Sequence, residues 1–174
     1  GLQNESTPVS ASVRADWYNA LADAGLRRIE AGSFVSPRWV PQMANTDDVM
    51  RQIRRDAKLS AEVLVPNLKG LEGALASDAD VIAVFTAASE SFNQKNVNCS
   101  IAESLERFQP VIAGAKQAGK RVRAYVSCVV GCPYEGPIAP AQVARVVEQL
   151  LAIGADEISL GDTIGVARPK EIHA

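Results

Sequence analysis

Five apolar, strand-forming stretches, each followed by a polar loop and then a helix or its first turn, predict an α/β fold built on a parallel sheet. Three junctions share one form: an apolar helix, then Ala24-Gly25, Ala118-Gly119 or Ile153-Gly154, then a strand. No Gly-x-Gly-x-x-Gly opens a helix and no Gly-Lys-Ser/Thr occurs, so a nucleotide-binding, doubly wound sheet loses support. The alternation then points to a (β/α)8 TIM barrel, which takes eight strands and about 250 residues. The chain is expected to supply about five of those strands, as residues 1–174 of one catalytic domain incomplete at both ends.

Each element has a local reason. Thr7-Pro8 offers a hydroxyl cap with proline at the first helical position, and Val13, Trp17 and Leu21 fall on one helical face up to Gly25. Residues 26–35 read as a strand with Glu30 inside it, closed by Ser36-Pro37. A short helix over 47–55 precedes a buried strand over 61–65, which ends at Pro66-Asn67-Leu68-Lys69-Gly70. Residues 71–76 form a helix, 80–85 a strand and 86–99 a long polar loop. Ser100-Ile-Ala-Glu103 is a capping box opening a helix with the stripe Ile101, Leu105, Phe108, Ile112 and Ala115. A strand over 121–127, a Gly- and Pro-rich loop over 128–136 and a helix opened by Pro140 follow, with Val143, Val146, Val147, Leu150 and Leu151 as its apolar residues. The last strand runs into Gly161-Asp162-Thr163, and a further helix begins at Arg168-Pro169.

Composition narrows the function classes. With 47% apolar and 22% charged residues the chain is globular, and a formal net charge of -2 without basic runs argues against a nucleic-acid partner. Apolar runs are too short to span a membrane and no export pattern opens the chain, so a soluble, cytoplasmic protein is expected. Cys99, Cys128 and Cys132 are odd in number, and Cys128-x-x-x-Cys132 lacks the partners of a zinc site, so reduced thiols packed as small buried groups are expected.

At the strand-to-loop junction, Glu157 to Gly165 places a carboxylate and a hydroxyl where chemistry is done in such barrels. Taken alone, Asp162 reads first as a cap of the next helix. Other strand ends carry polar groups too: Glu30-Ala-Gly-Ser-Phe-Val-Ser-Pro37, Arg38-Trp-Val-Pro-Gln-Met43, Pro66-Asn-Leu-Lys-Gly70, Ala87-Ala-Ser-Glu90, Lys95-Asn-Val-Asn-Cys-Ser100, Val122-Arg-Ala-Tyr-Val-Ser-Cys128 and Gly131-Cys-Pro-Tyr-Glu-Gly136. Together these segments resemble the hydroxymethylglutaryl-CoA lyase family along nearly the whole chain. The Gly-Cys-Pro-Tyr-Glu-Gly loop and the Ser-Phe-Val-Ser-Pro turn are the specific pieces, whereas the Gly-Asp-Thr turn recurs among metal-dependent TIM-barrel lyases and Claisen-type synthases.

The resemblance implies retro-Claisen cleavage of 3-hydroxy-3-methylglutaryl-CoA to acetyl-CoA and acetoacetate, in leucine degradation, with Mg²⁺ or Mn²⁺. It implies an acyl-CoA substrate, no nucleic-acid or membrane partner, and a homodimer at full length. Carried over residue by residue, Glu30 and Asp162 hold catalytic positions: Glu30 as a partner of the metal site, Asp162 as the contact of a family arginine and the substrate. Pairing of Glu30 with Arg28 or Arg123 is its structural alternative. Gln3, Ser33, Asn96, Ser159 and Thr163 match polar positions facing the acyl group, and Arg123 and Tyr125 point into or near the barrel mouth. Lys95 either meets CoA phosphates or is a solvated loop lysine.

The resemblance implies that the family's metal ligands lie outside this chain, an Asp before Gly1 and the His-x-His pair and an asparagine after Ala174, as do the substrate-steadying arginine next to that Asp and the catalytic cysteine of the later loop. His173, the single histidine, cannot replace a pair. Two other readings stay open: a related Claisen-type acyl-CoA synthase, or an inactive half-barrel in which unpaired strand edges favour aggregation or dimerisation.

Overall fold

A computed structural model describes residues 2–172. Its strands are β1 (Arg28–Ser33), β2 (Ser60–Leu64), β3 (Val81–Ala87), β4 (Arg121–Ser127), the two-residue β5 (Gly131–Cys132) and β6 (Gly136–Pro137), and β7 (Glu157–Leu160). Five of them make a parallel sheet in the order β1-β2-β3-β4-β7, while β5 and β6 pair antiparallel. The helices are α1 (Ala11–Asp23), α2 (Thr46–Gln52), α3 (Leu68–Ala76), α4 (Glu90–Val97), α5 (Ile101–Gln117), α6 (Pro140–Ala152) and α7 (Pro169–Ile172). The α/β class and the five-stranded parallel sheet agree with the sequence expectation. The chain divides into two compact units, one of residues up to 83 with Gly114–Arg121, the other of Val84–Ala113 with residues from 122 on.

In the first unit, α1 departs from expectation twice. Ser10, not Thr7, caps it by accepting the Val13 N–H at 3.3 Å, so the helix starts at Ala11. The Val13, Trp17, Leu21 stripe is exposed, and the buried face is Arg14, Ala15, Tyr18 and Ala22. Small residues explain the choice, because Ala15 and Ala22 let the helix backbone approach its neighbours closely. The Arg14 guanidinium donates to the carbonyls of Gln42 and Ala44, and so ties α1 to the loop after β1. Helix α3 begins three residues earlier than expected because Asn67 caps it, accepting the Gly70 N–H at 2.9 Å. Gly70 and Gly73 leave room for Phe34, whose ring carbon Cδ1 lies 2.8 Å from where a Cβ on Gly73 would stand.

In the second unit, the expected polar loop over 86–99 contains α4, capped by Ser89, which accepts the Phe92 N–H at 3.0 Å. Its mean hydropathy is low, so no apolar period announced it; the Ser89 cap was the available signal. The capping box of α5 forms as read: the Ser100 N–H donates to Glu103 Oε2 at 2.7 Å and the Glu103 N–H to Ser100 Oγ at 3.1 Å. Its apolar stripe is buried throughout. The loop over 128–136 contains β5 and a turn leading into β6.

The three junction glycines do what their position requires. Gly25, Gly119 and Gly154 have φ of +102°, +71° and +107°, and the N–H after each bonds back five residues, as in Leu26 to Leu21 O at 3.1 Å. A fourth helix end, that of α3, has the same closure with Asp78 at φ +52°; Ala79 N–H reaches Ala74 O at 3.2 Å. The Asp78 carboxylate accepts from Lys120 Nζ at 2.7 Å, which compensates a left-handed residue that is not glycine.

Candidate functional site

In the first unit the relevant residues lie on β1. The pairing with β2 skips a residue: Glu30 stands opposite Glu62, Gly32 opposite Val63 and Ser33 opposite Leu64, so Ala31 is bulged out. Glu62 and Leu64 share one face of β2, so Glu30 and Ser33 share a face, which an unbroken period of two forbids for residues three apart. Glu30 is exposed on that face. Ser33 is buried and committed to its turn, donating to Leu64 O at 3.5 Å and accepting from the Val35 N–H at 3.2 Å. Thr46 Oγ1 lies 2.9 Å from the carbonyls of Ser33 and Met43 and donates to one of them. A Cβ on Gly32 would meet Thr46 at 2.8 Å, so the glycine is required there. Gln3 is exposed in a 3₁₀ turn over Leu2–Asn4.

In the second unit, Arg123, Tyr125 and Ser159 come together. β4 buries Val122, Ala124 and Val126 on one face and carries Arg123 and Tyr125 on the other; the register places Arg123 beside Glu157 and Tyr125 beside Ser159. Arg123 Nη2 donates to Ser159 Oγ at 3.1 Å, its Nη1 lies 3.3 Å from Glu157, and its guanidinium stands 5.1 Å from the Tyr125 ring centroid. A cation held on three sides is preorganised rather than swinging.

Past the end of β7, Asp162 closes a turn: its Oδ1 accepts from the Val166 N–H at 3.2 Å and its Oδ2 from the Ala167 N–H at 2.8 Å. Thr163 Oγ1 accepts from the Cys128 N–H at 2.8 Å and holds that residue in a left-handed conformation at φ +59°. Burial pushes the Cys128 thiol up to about 11, so it stays protonated and inert. Backbone bonds tie the strand exits together: the Ala88 N–H to Ser127 O at 2.8 Å, and the Gly161 N–H to Val126 O at 2.9 Å.

The Gly131 to Gly136 loop clamps the start of α4. Ser89 Oγ donates to Cys132 Sγ at 3.0 Å, Glu135 Oε1 accepts the Ser91 N–H at 2.6 Å, and Tyr134 stacks near Phe92 with centroids 6.3 Å apart. Burial raises the Cys132 thiol, but hydrogen bonds from Ser89 and the Tyr134 and Glu135 amides outweigh it, and the net direction is down. Asn96 is exposed on α4, and Lys95 sits 4.8 Å above the Tyr134 ring instead of hanging free.

The Ser91 N–H holds the Glu135 carboxyl below its ordinary 4.5. Its stabilisation is therefore complete above that ordinary value and is lost as pH falls through the lower folded value. Urea midpoints are expected to differ between wild type and Glu135→Gln near neutral pH, the gap closing as pH falls through the lowered folded value; a gap that persists once the carboxyl is fully protonated contradicts the assignment.

Sequence reasoning passed over several residues. Glu62 is 2% exposed and bonds Arg28 Nε at 2.7 Å. Glu157 faces Arg123, and Asn93 joins α4 to the start of α5. A charged residue inside an apolar strand, as in Ser60-Ala-Glu62-Val-Leu, was the available signal for the first two. His173 lies outside the described residues. Among the described residues no group of three or more His, Cys, Asp or Glu side chains could hold a metal ion.

The family model HMGL-like matches residues 1–174. The chain is 54% identical over 171 residues to a hydroxymethylglutaryl-CoA lyase of Pseudomonas mevalonii, covering 98% of this chain and 57% of that protein. It is 53% identical over 169 residues to the mitochondrial hydroxymethylglutaryl-CoA lyase of Macaca fascicularis, covering 97% and 52%. The chain thus spans about half the length of the curated relatives it matches. It superposes on the HMG-CoA lyase of Brucella melitensis with a TM-score of 0.96 at 53% identity, covering all of this chain and 62% of that one. An HMG-CoA lyase from Acinetobacter baumannii, solved with coenzyme A and 3-methylmalate, gives 0.93 at 34% identity, covering 99% and 56%.

Proposed function

The chain belongs to the HMGL-like family, and from that premise we propose that the whole protein is a hydroxymethylglutaryl-CoA lyase on a TIM barrel, to which these residues contribute five parallel strands. The reaction breaks the bond between the carbinol carbon and the methylene next to the thioester. The hydroxyl proton passes to a base, the bonding pair moves onto the thioester as an enolate, and the enolate carbon takes a proton. Acetoacetate and acetyl-CoA result.

The observation that carries this reading is the fixed guanidinium of Arg123 beside Tyr125 on β4 and Ser159 on β7, the strand that leads into the Asp162-Thr163 turn. A preorganised cation suits the anionic end of an acyl-CoA substrate or the charge that develops on the thioester. Ser159 and Thr163 act by orienting Arg123 and the Cys128 backbone, and each hydroxyl oxygen keeps capacity for a substrate contact. By family pattern, Glu30 and Asp162 are assigned as the negatively charged groups of the parent enzyme, and Gln3, Ser33 and Asn96 as polar positions. A bound Mg²⁺ or Mn²⁺ would supply Lewis-acid polarisation; among the described residues no group of three or more His, Cys, Asp or Glu side chains forms a cage for it.

An acyl-CoA substrate follows from the family and from the coenzyme A bound in the A. baumannii relative. A cytoplasmic setting, a role in leucine degradation and a homodimer complete the reading. No helix among the described residues is long and apolar enough to cross a membrane. The test is acetoacetate release from 3-hydroxy-3-methylglutaryl-CoA with Mg²⁺ by the full-length protein. Release supports the lyase; condensation of acetyl-CoA with a 2-oxo acid and no acetoacetate identifies a Claisen-type synthase instead.

A further inference from the structure

At the amino ends of β2 and β3, within the first unit, lies a cavity of about 320 Å³ lined by Tyr18, Arg54, Arg55, Asp56, Leu59 and Asp80. Tyr18 is 3% exposed, and its hydroxyl meets no hydrogen-bond partner among the described residues. Burial raises its phenol, and the charges of Arg55 and Asp80 act on it in opposite directions, so it is a neutral donor at physiological pH.

The charged lining is only partly committed. Arg54 gives Nη1 to Asp23 at 2.7 Å. Arg55 gives Nη2 to the Asp78 carbonyl, with the carboxylates of Asp78 and Asp80 at 3.7 and 3.6 Å. Asp80 Oδ2 accepts the Ala61 N–H and Asp56 Oδ1 the Lys58 N–H, both at 2.8 Å. The other nitrogens of both guanidinium groups and Asp56 Oδ2 keep bonding capacity.

Two cations and two anions in the lining sum to zero. A simple anion attracted by the arginines is repelled by the aspartates, and a simple cation the reverse. A molecule carrying both charges satisfies both ends. The volume lies at the small end of the roughly 300–1,000 Å³ of ligand pockets, which favours a compact metabolite. We propose that this cavity binds a small zwitterion of the α-amino acid type, its carboxylate on Arg54, Arg55 and the Tyr18 hydroxyl, its ammonium on Asp56 and Asp80.

Calorimetric titration of the full-length protein with L-alanine, propionate and ethylammonium tests it, since each control keeps one of the two charges. Saturable binding of L-alanine is expected, with both controls weaker by about tenfold or more, as loss of a charged hydrogen-bonded end entails. Tyr18→Phe is expected to weaken L-alanine by about tenfold without changing lyase activity. Asp56→Asn, on an exposed position, is expected to weaken L-alanine and, by removing one of the repelling charges, to strengthen propionate. No saturation by L-alanine, a control that binds as tightly, or both variants binding L-alanine as wild type would each overturn the assignment.

Discussion

Asp162→Asn in the full-length protein lowers kcat for acetoacetate release by about two to four orders of magnitude, the expected loss when a preorganised charge next to the reacting groups is neutralised. The structure sharpens this expectation. Both carboxylate oxygens of Asp162 accept backbone N–H groups, from Val166 and Ala167. An asparagine keeps one acceptor and turns an NH₂ group toward the other N–H, so the turn loosens as the charge is lost. Stability and catalysis are therefore measured together. A large fall in kcat with a small fall in the urea midpoint supports a role in the chemistry; a fall in midpoint alone makes Asp162 only the closure of its turn.

The second large effect is expected on stability. Asn93 is 1% exposed and donates to the carbonyls of Cys99 at 3.0 Å and Ser100 at 2.9 Å, while its Oδ1 accepts from Thr86 at 3.3 Å. Thr86 also lies 2.8 Å from Ser104 Oγ. Asn93→Ala removes the donors, leaves the Cys99 carbonyl without its partner and opens a small void, at a cost of about 2–4 kcal/mol. Urea unfolding measures it. Thr86→Val in the same background is expected to cost less than it does alone, because both residues belong to one network. Strict additivity would show that the network is not coupled.

The five strands of the parallel sheet were legible because parallel βα units announce themselves through apolar strands and helix-closing glycines, and all three such glycines are left-handed. Elements without an apolar period were not. α4 has too little apolar surface to show a stripe, and β5 and β6 are two residues each, held by loop contacts with no counterpart in local sequence. The wrong face of α1 has the same root. An i, i+4 stripe of large residues exists in Val13, Trp17 and Leu21, yet close packing favoured the alanines on the other side. At the candidate site, the commitments of the polar side chains were not legible. That Ser159 serves Arg123, or that Thr163 serves the Cys128 backbone, depends on strand register, which side-chain types alone do not specify.

The skipped residue in β1 gives this strand an uneven tolerance to changes in length. Loss of Ala31 would delete only the residue that β2 does not count, and Glu30, Gly32 and Ser33 would keep their partners. Loss of Ile29 would move Glu30 to the place opposite Ala61, turning its carboxylate toward the side where Ala61 and Val63 are fully covered. Two single-residue deletions two codons apart would thus have opposite fates: one silent in the sheet, the other burying a naked charge.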